Sequence, residues 1–188
     1  MNKTKKLIFE SAILVFSECG YNGAAMDEIA LRAGVAKGTL YYHFKSKEDI
    51  FKFIINEGMN FMSEETEAAI CQEENPIEKL KVLCRVELSL ANKNRDFFKV
   101  LMSQLWGEQV RQYELREVIH TYIQNLEKYI KAAMDGGYIK KGETSFIAYT
   151  LFGTLCSASI YEMINKEKAE VEVVIDSLVK YILNGIAI

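Results

Sequence analysis

The chain has 188 residues, 49% hydrophobic and 26% charged, with a formal net charge of -3. That balance fits a globular protein and excludes a collagen-like or disordered chain. No run approaches the roughly 18 apolar residues that a transmembrane helix needs, so no membrane partner is expected and a cytoplasmic location follows.

One proline and 11 glycines punctuate long periodic stretches, which points to an almost wholly helical protein. Charge is unevenly divided. Residues 1–55 carry eight Lys/Arg against six Asp/Glu, whereas residues 56–188 carry fifteen against twenty, so a slightly basic head precedes an acidic body. Cys19, Cys71, Cys84 and Cys156 are scattered, without metal-ligand spacing, and read as small buried hydrophobes in a reducing compartment.

In chain order, a first helix is predicted over 3–19, with Ile8, Ala12, Val15 and Phe16 on one face, ended by Gly20-Tyr21-Asn22-Gly23. A short helix over 26–33 turns Ile29, Ala30 and Ala33 inward. After Gly34-Val35-Ala36, a third over 37–43 buries Leu40, followed by Phe44. Ser46 with Asp49 forms a capping-box-like start to a fourth helix over about 46–71, whose face of Ile50, Phe51, Ile54 and Ile55 closes the first three. Asn75-Pro76-Ile77-Glu78 marks the next start. Further helices are predicted over 76–92, 95–106, 109–135, 143–165 and 168–184, with Gly185 as the last C-terminal glycine.

The segment from Gly34 to Lys47 carries most of the chemistry. No acidic residue lies between Glu28 and Glu48, yet Arg32, Lys37, Lys45 and Lys47 do. Two short helices joined by a glycine turn make a helix-turn-helix, whose second helix reads base edges in the major groove. Gly38 lets the backbone approach DNA closely. Thr39 offers a hydroxyl and a methyl, and Tyr41, Tyr42 and His43 offer polar tips on planar bodies, although one of the two tyrosines is expected to pack inward. Lys37 and Lys47 offer charge to phosphates, Lys47 from the first turn of the fourth helix.

These residues resemble the DNA-binding head of the tetracycline-repressor (TetR) family of bacterial transcriptional regulators. The matching elements are Ala12 to Phe16, Gly20-Tyr21, Asp27 to Ala30, Ala33-Gly34-Val35 and the run Lys37 to Lys47. The resemblance implies that Lys37, Gly38, Thr39, Tyr41, Tyr42, His43 and Lys47 contact palindromic double-stranded operator DNA. Met26 and Ala36 depart from the family pattern, each lacking the usual hydroxyl, so their contacts to DNA reduce to backbone N–H groups.

The implied architecture is all-α, with about nine helices: a homeodomain-like three-helix head over 1–47 and a helical-bundle ligand-binding and dimerisation domain over 48–188. By the same resemblance the chain is a homodimeric repressor released from DNA by a small lipophilic or aromatic effector, bound by the body. The alternative is a DNA-binding regulator controlled by a protein partner.

Met59, Met62, Phe98, Met102, Trp106, Tyr113, Glu117, His120, Tyr149 and Phe152 are candidate pocket residues, since methionine and aromatic side chains suit an adaptable apolar pocket. Glu87 and Gln124 join Glu117 and His120 as candidates for its few polar groups. The dimer is expected to form through the last two helices, with Leu151, Leu155, Ser159, Val174, Leu178 and Ile182 in the interface. Val171, Ile175 and Leu183 extend that stripe. Two histidines in different predicted domains, with no nucleophile motif or phosphate loop, argue against an enzyme, and no metal site or cofactor is expected.

Overall fold

The computed structural model describes residues 1–165 and 171–186, and among these the chain forms nine helices. They are α1 (Lys3–Gly23), α2 (Met26–Arg32), α3 (Lys37–His43), α4 (Lys47–Ile70), α5 (Pro76–Lys93), α6 (Arg95–Ser103), α7 (Val110–Asp135), α8 (Thr144–Ile164) and α9 (Val171–Ile186). The described helices include none long and apolar enough to cross a membrane. The expected start of the last helix at 168 lies outside the described residues, as do the side chains of Val171, Ile175 and Leu183. Gly185 falls within α9 and does not terminate it.

Local chemistry sets most of these boundaries. Ser46 Oγ accepts from the Asp49 N–H at 3.1 Å while Asp49 Oδ2 accepts from the Ser46 N–H at 3.1 Å, a reciprocal capping box at the start of α4. Asn75 Oδ1 accepts from the Ile77 N–H at 2.9 Å where α5 begins. Two helices end in the same glycine motif. At the end of α2, Gly34 takes a φ of 63°, with Val35 N–H donating to Ala30 C=O and Gly34 N–H to Leu31 C=O. At the end of α7, Gly137 takes a φ of 74°, with Tyr138 N–H donating to Ala133 C=O and Gly137 N–H to Met134 C=O. Gly20, with a φ of 67°, kinks α1 at the point where the sequence reading ends it.

The chain divides into two compact units, one of residues 1–60 with 94–119 and one of 61–93 with 120–188. α4 and α7 each run through both. Residue 47 is where α4 begins, but the unit holding the first three helices extends beyond it. The packing explains why α6 belongs there: Ser17 Oγ donates to Asp96 Oδ1 at 2.8 Å, and the buried Phe97 ring lies against Gly58. A Cβ at Gly58 would sit 2.3 Å from that ring, so this approach requires glycine.

The core of the first unit contains Ile8, Ala12, Val15, Phe16, Ile29, Leu40, Phe44, Ile50, Phe51, Ile54 and Ile55, all buried. α6 stops at Ser103, earlier than the periodicity suggests. Residues 104–109 form a loop held by Gln112, which accepts from Gln109 N–H at 2.9 Å and donates to Trp106 C=O at 2.9 Å. In the second unit, Leu80, Leu83, Leu88, Ile123, Leu126, Ile130, Leu151 and Leu155 are buried. Arg85 of α5 and Asp176 of α9 pair at 2.7 Å. Cys84 and Cys156 are buried, their thiols pushed up to about 12 by burial, but Cys19 and Cys71 are exposed, against expectation.

Candidate functional site

The glycine-ended turn after α2 sets the direction of α3, and Leu40 of α3, fully buried, anchors it to the core. The remaining surface of the short helix is then free to face a partner. Lys37, Gly38, Thr39, Tyr41 and Tyr42 are exposed and His43 is half-buried. Neither tyrosine packs inward: Tyr41 is 39% exposed and Tyr42 78%. The Tyr42 and His43 rings meet edge to face at 5.1 Å. A Cβ at Gly38 would meet nothing within 4 Å, so the fold does not require glycine there. Ala36, the N-cap of α3, and Ala25, the N-cap of α2 before the half-buried Met26, supply no side-chain cap, as alanine must.

The cations of the segment differ in their partners. Lys37 pairs with Asp27 at 2.8 Å across two side chains that are each 62% exposed, a contact that a phosphate can replace at little cost. Arg32 bridges Glu18 at 2.6 Å and Glu28 at 2.7 Å, which ties α2 to α1. Lys47 is the departure from expectation. Its ammonium donates to Ala24 C=O at 3.0 Å and Asn22 C=O at 3.3 Å and lies 4.7 Å from the Tyr21 ring centroid. The carbonyls at the end of α1 draw the cation back onto the head, where Lys47 links α4 to α1.

Arg111, at the start of α7, covers the same Tyr21 ring at 4.0 Å, and Tyr21 packs in turn on Phe16 and Phe51. Lys52 of α4 and Glu114 of α7 pair at 2.7 Å nearby. No sequence signal links these residues, which lie far apart in the chain.

The body residues predicted to share a pocket are divided between the units. Met59, Phe98, Met102, Trp106, Tyr113 and Glu117 belong to the first, and Met62, His120, Tyr149 and Phe152 to the second. Met59, Phe98 and Met62 are buried, Met102 and Phe152 half-buried. Trp106, 81% exposed, lines no enclosed site, because the loop stitched by Gln112 turns its ring to solvent; Tyr113 and Glu117 are also exposed. His120 Nδ1 and the Tyr149 hydroxyl lie 2.7 Å apart in a partly exposed pair. Gln124 is exposed.

Glu87 is the polar candidate that the second unit buries. Its Oε1 accepts from the Thr66 hydroxyl at 2.7 Å and from the Tyr122 hydroxyl, and all three residues are at most 5% exposed. Burial pushes the Glu87 carboxyl above the usual carboxylate range, opposed by these two hydrogen bonds. The Tyr122 hydroxyl is also pushed up, by burial first and by the adjacent Glu87 second. Thr66 escaped the sequence reading, since a lone threonine in an amphipathic helix carries no pattern. The described residues contain no group of three or more His, Cys, Asp or Glu placed to hold a metal ion.

The residues predicted for the dimer differ in their exposure within the chain. Leu151, Leu155 and Ser159 are buried in their own subunit, the Ser159 hydroxyl donating to Leu155 C=O at 3.0 Å, while Val174, Leu178 and Ile182 are half-buried. Among the described residues, the large apolar side chains that α8 and α9 leave exposed are Phe146, Tyr149, Ile160, Tyr161, Ile164, Val173 and Tyr181. Phe146, Thr150, Thr154, Leu151, Tyr181 and Ile182 line an open apolar groove of about 390 Å³ there. Periodicity alone did not settle which side of each of these helices faces out.

Comparison with known proteins matches both parts of the chain. Residues 8–54 match the profile of bacterial regulatory proteins of the tetR family, and residues 55–185 that of the C-terminal region of YsiA-like proteins. A candidate fatty acid metabolism regulator of Clostridium perfringens, of known structure, is 47% identical, with a TM-score of 0.89 over 97% of this chain and 99% of its own. The fatty acid metabolism regulator protein of Bacillus subtilis (strain 168) is 26% identical over 181 residues, covering 95% of this chain and 93% of that protein. The structure of the transcriptional regulator FadR of Bacillus subtilis in complex with stearoyl-CoA gives a TM-score of 0.86 at 25% identity, over 96% of this chain and 98% of that one. With the helix-turn-helix of α2 and α3 and matches along its whole length, this chain belongs to the tetR family of bacterial regulatory proteins and is a DNA-binding transcriptional regulator, not an enzyme.

Proposed function

We propose that the chain is a homodimeric repressor that leaves a palindromic operator when a long-chain fatty acyl-CoA binds its body. The observation that carries this reading is the full-length likeness to a Bacillus subtilis regulator whose solved complex holds stearoyl-CoA. Residues 1–47 read DNA and residues 48–188 bind the effector and the partner subunit. Lys37, Thr39, Tyr41, Tyr42 and His43 form the reading face, Gly38 admits the backbone, and the N–H groups at Met26 and Ala36 meet phosphates. Lys47 supports that face by fixing α4 to α1. Two copies meet through α8 and α9 along the groove lined by Phe146 and Tyr181, which places two recognition helices on half-sites about 34–36 Å apart or a related spacing.

Because α4 runs from the capping box that follows the reading helix into the body, a shift of α4 on effector binding alters the placement of the head. The affinity for DNA falls by the difference in effector affinity between the two states. The test is operator release. DNA selected by the protein from a random pool is followed by fluorescence anisotropy while stearoyl-CoA, short-chain acyl-CoA, free CoA and stearate are added. Release by the long-chain thioester and not by CoA is expected; release by none of them overturns the effector assignment. Sedimentation of Phe146→Asp and Tyr181→Asp variants, expected to be monomeric, checks the dimer face.

A further inference from the structure

A carboxyl group in the middle of a helical bundle is an unusual choice. A leucine would fill the same space without the cost of removing a polar group from water. Glu87 of α5 instead brings one oxygen to the hydroxyls of Thr66 on α4 and Tyr122 on α7. The Tyr122 ring packs edge to face on Phe152 of α8 at 6.4 Å. The cluster therefore ties together helices whose other described contacts around it are mainly apolar.

Apolar contacts tolerate sliding, whereas a hydrogen bond weakens steeply with angle and distance. An oxygen shared by donors from two other helices therefore distinguishes one placement of α4 from a neighbouring one. Thr66 is the buried polar residue of α4 between Phe61 and Ile70, and its neighbour Glu67 pairs with Lys128 at 2.7 Å in solvent, where an ion pair contributes little. α4 is continuous from Thr66 back to the Ser46–Asp49 capping box that follows the reading helix in the chain.

We propose that Thr66, Glu87 and Tyr122 form a two-state lock on α4, closed in one of its two placements and open in the other, so that breaking it shifts the balance between operator binding and effector binding. The proposal rests on the effector-released reading given above. Thr66 and Tyr122 are positioning residues: they need not touch DNA or effector to change the affinity for both.

The test uses full-length Thr66→Val and Tyr122→Phe, each of which removes a hydroxyl and keeps the shape. Operator affinity is read by anisotropy without effector, and stearoyl-CoA affinity by direct titration without DNA. A lock predicts changes of opposite sign, one affinity rising and the other falling, by about twofold to tenfold for the ligand of the less populated placement. Thr66→Ser, which restores the hydroxyl, returns both toward wild type.

A packing defect lowers both affinities together, and that result overturns the lock, as does an absence of change in both. A second readout needs no effector. Amide hydrogen exchange in Thr66→Val is expected to quicken over Phe61–Ile70 and remain as in wild type over Lys47–Ile55. Equal exchange in both proteins overturns the lock. If wild type binds no acyl-CoA, the effector assignment fails while the exchange result still decides whether the cluster holds α4.

Discussion

On α3 the side chains proposed to touch DNA stand in water. Tyr42 is 78% exposed, and the Lys37–Asp27 ion pair is open to solvent at both ends. On α5 the carboxyl of Glu87 is buried with two hydroxyls on a single oxygen. The first arrangement suits a large polyanion of repeating geometry, which supplies charge and groove to any surface shaped to meet it. The second suits discrimination between conformations, because a hydrogen bond weakens steeply with distance and angle. The head thus keeps its chemistry where a partner can reach it without rearrangement, while the body keeps its own where movement of a helix must register.

This comparison breaks most visibly if reading-face changes disturb the fold. The Lys37→Ala/Tyr42→Ala double variant should lose operator affinity at about 1–3 kcal/mol per contact, about thirtyfold or more in total, with the thermal midpoint unchanged. Anisotropy and calorimetry on one preparation check both halves, and a large fall in midpoint would show that these side chains also build the head.

Next in size is a change in the first unit that should act through packing alone. Gly58→Ala pushes a Cβ into the Phe97 ring. Overpacking costs about 1–3 kcal/mol, offset by roughly 1 kcal/mol of helix propensity. A lowered urea midpoint is expected, and Phe97→Leu in the same background should restore it.

The buried carboxyl gives a pH-dependent contrast. Its native pKa is raised by burial, so between the ordinary glutamate value and the raised one the native state holds the proton more tightly than the unfolded chain. Stability contributed by the neutral carboxyl is present at low pH and falls as pH rises through that window. Glu87→Gln cannot ionise. The variant's melting temperature relative to wild type should therefore rise between pH 5 and pH 8, and a constant difference across that range would show that Glu87 does not titrate there.

The smallest effect expected is in salt dependence. Lys37→Ala should make the log–log slope of operator affinity against salt shallower by about one, and Lys47→Ala by less, since the Lys47 ammonium is held by Ala24 and Asn22 carbonyls. Equal slopes in the two variants would return Lys47 to the phosphate-binding set.

The amino-acid sequence by itself determined the helices, their capped starts at Ser46 and Asn75, the turn at Gly34 and the membership of the reading helix. These depend on residues within a turn or two of one another, where spacing, caps and backbone freedom act directly. It also offered Glu87, alongside Glu117, His120 and Gln124, as a candidate polar group of the body. Tertiary structure alone decided that Thr66 and Tyr122, 21 and 35 positions away from Glu87, converge on its carboxyl. It likewise decided that Lys47 bends back to α1, that Trp106 faces solvent, and that Leu151 and Leu155 face their own core. A helix with apolar residues on more than one face can be turned several ways at similar local cost. The choice among them is made by packing between segments distant in sequence.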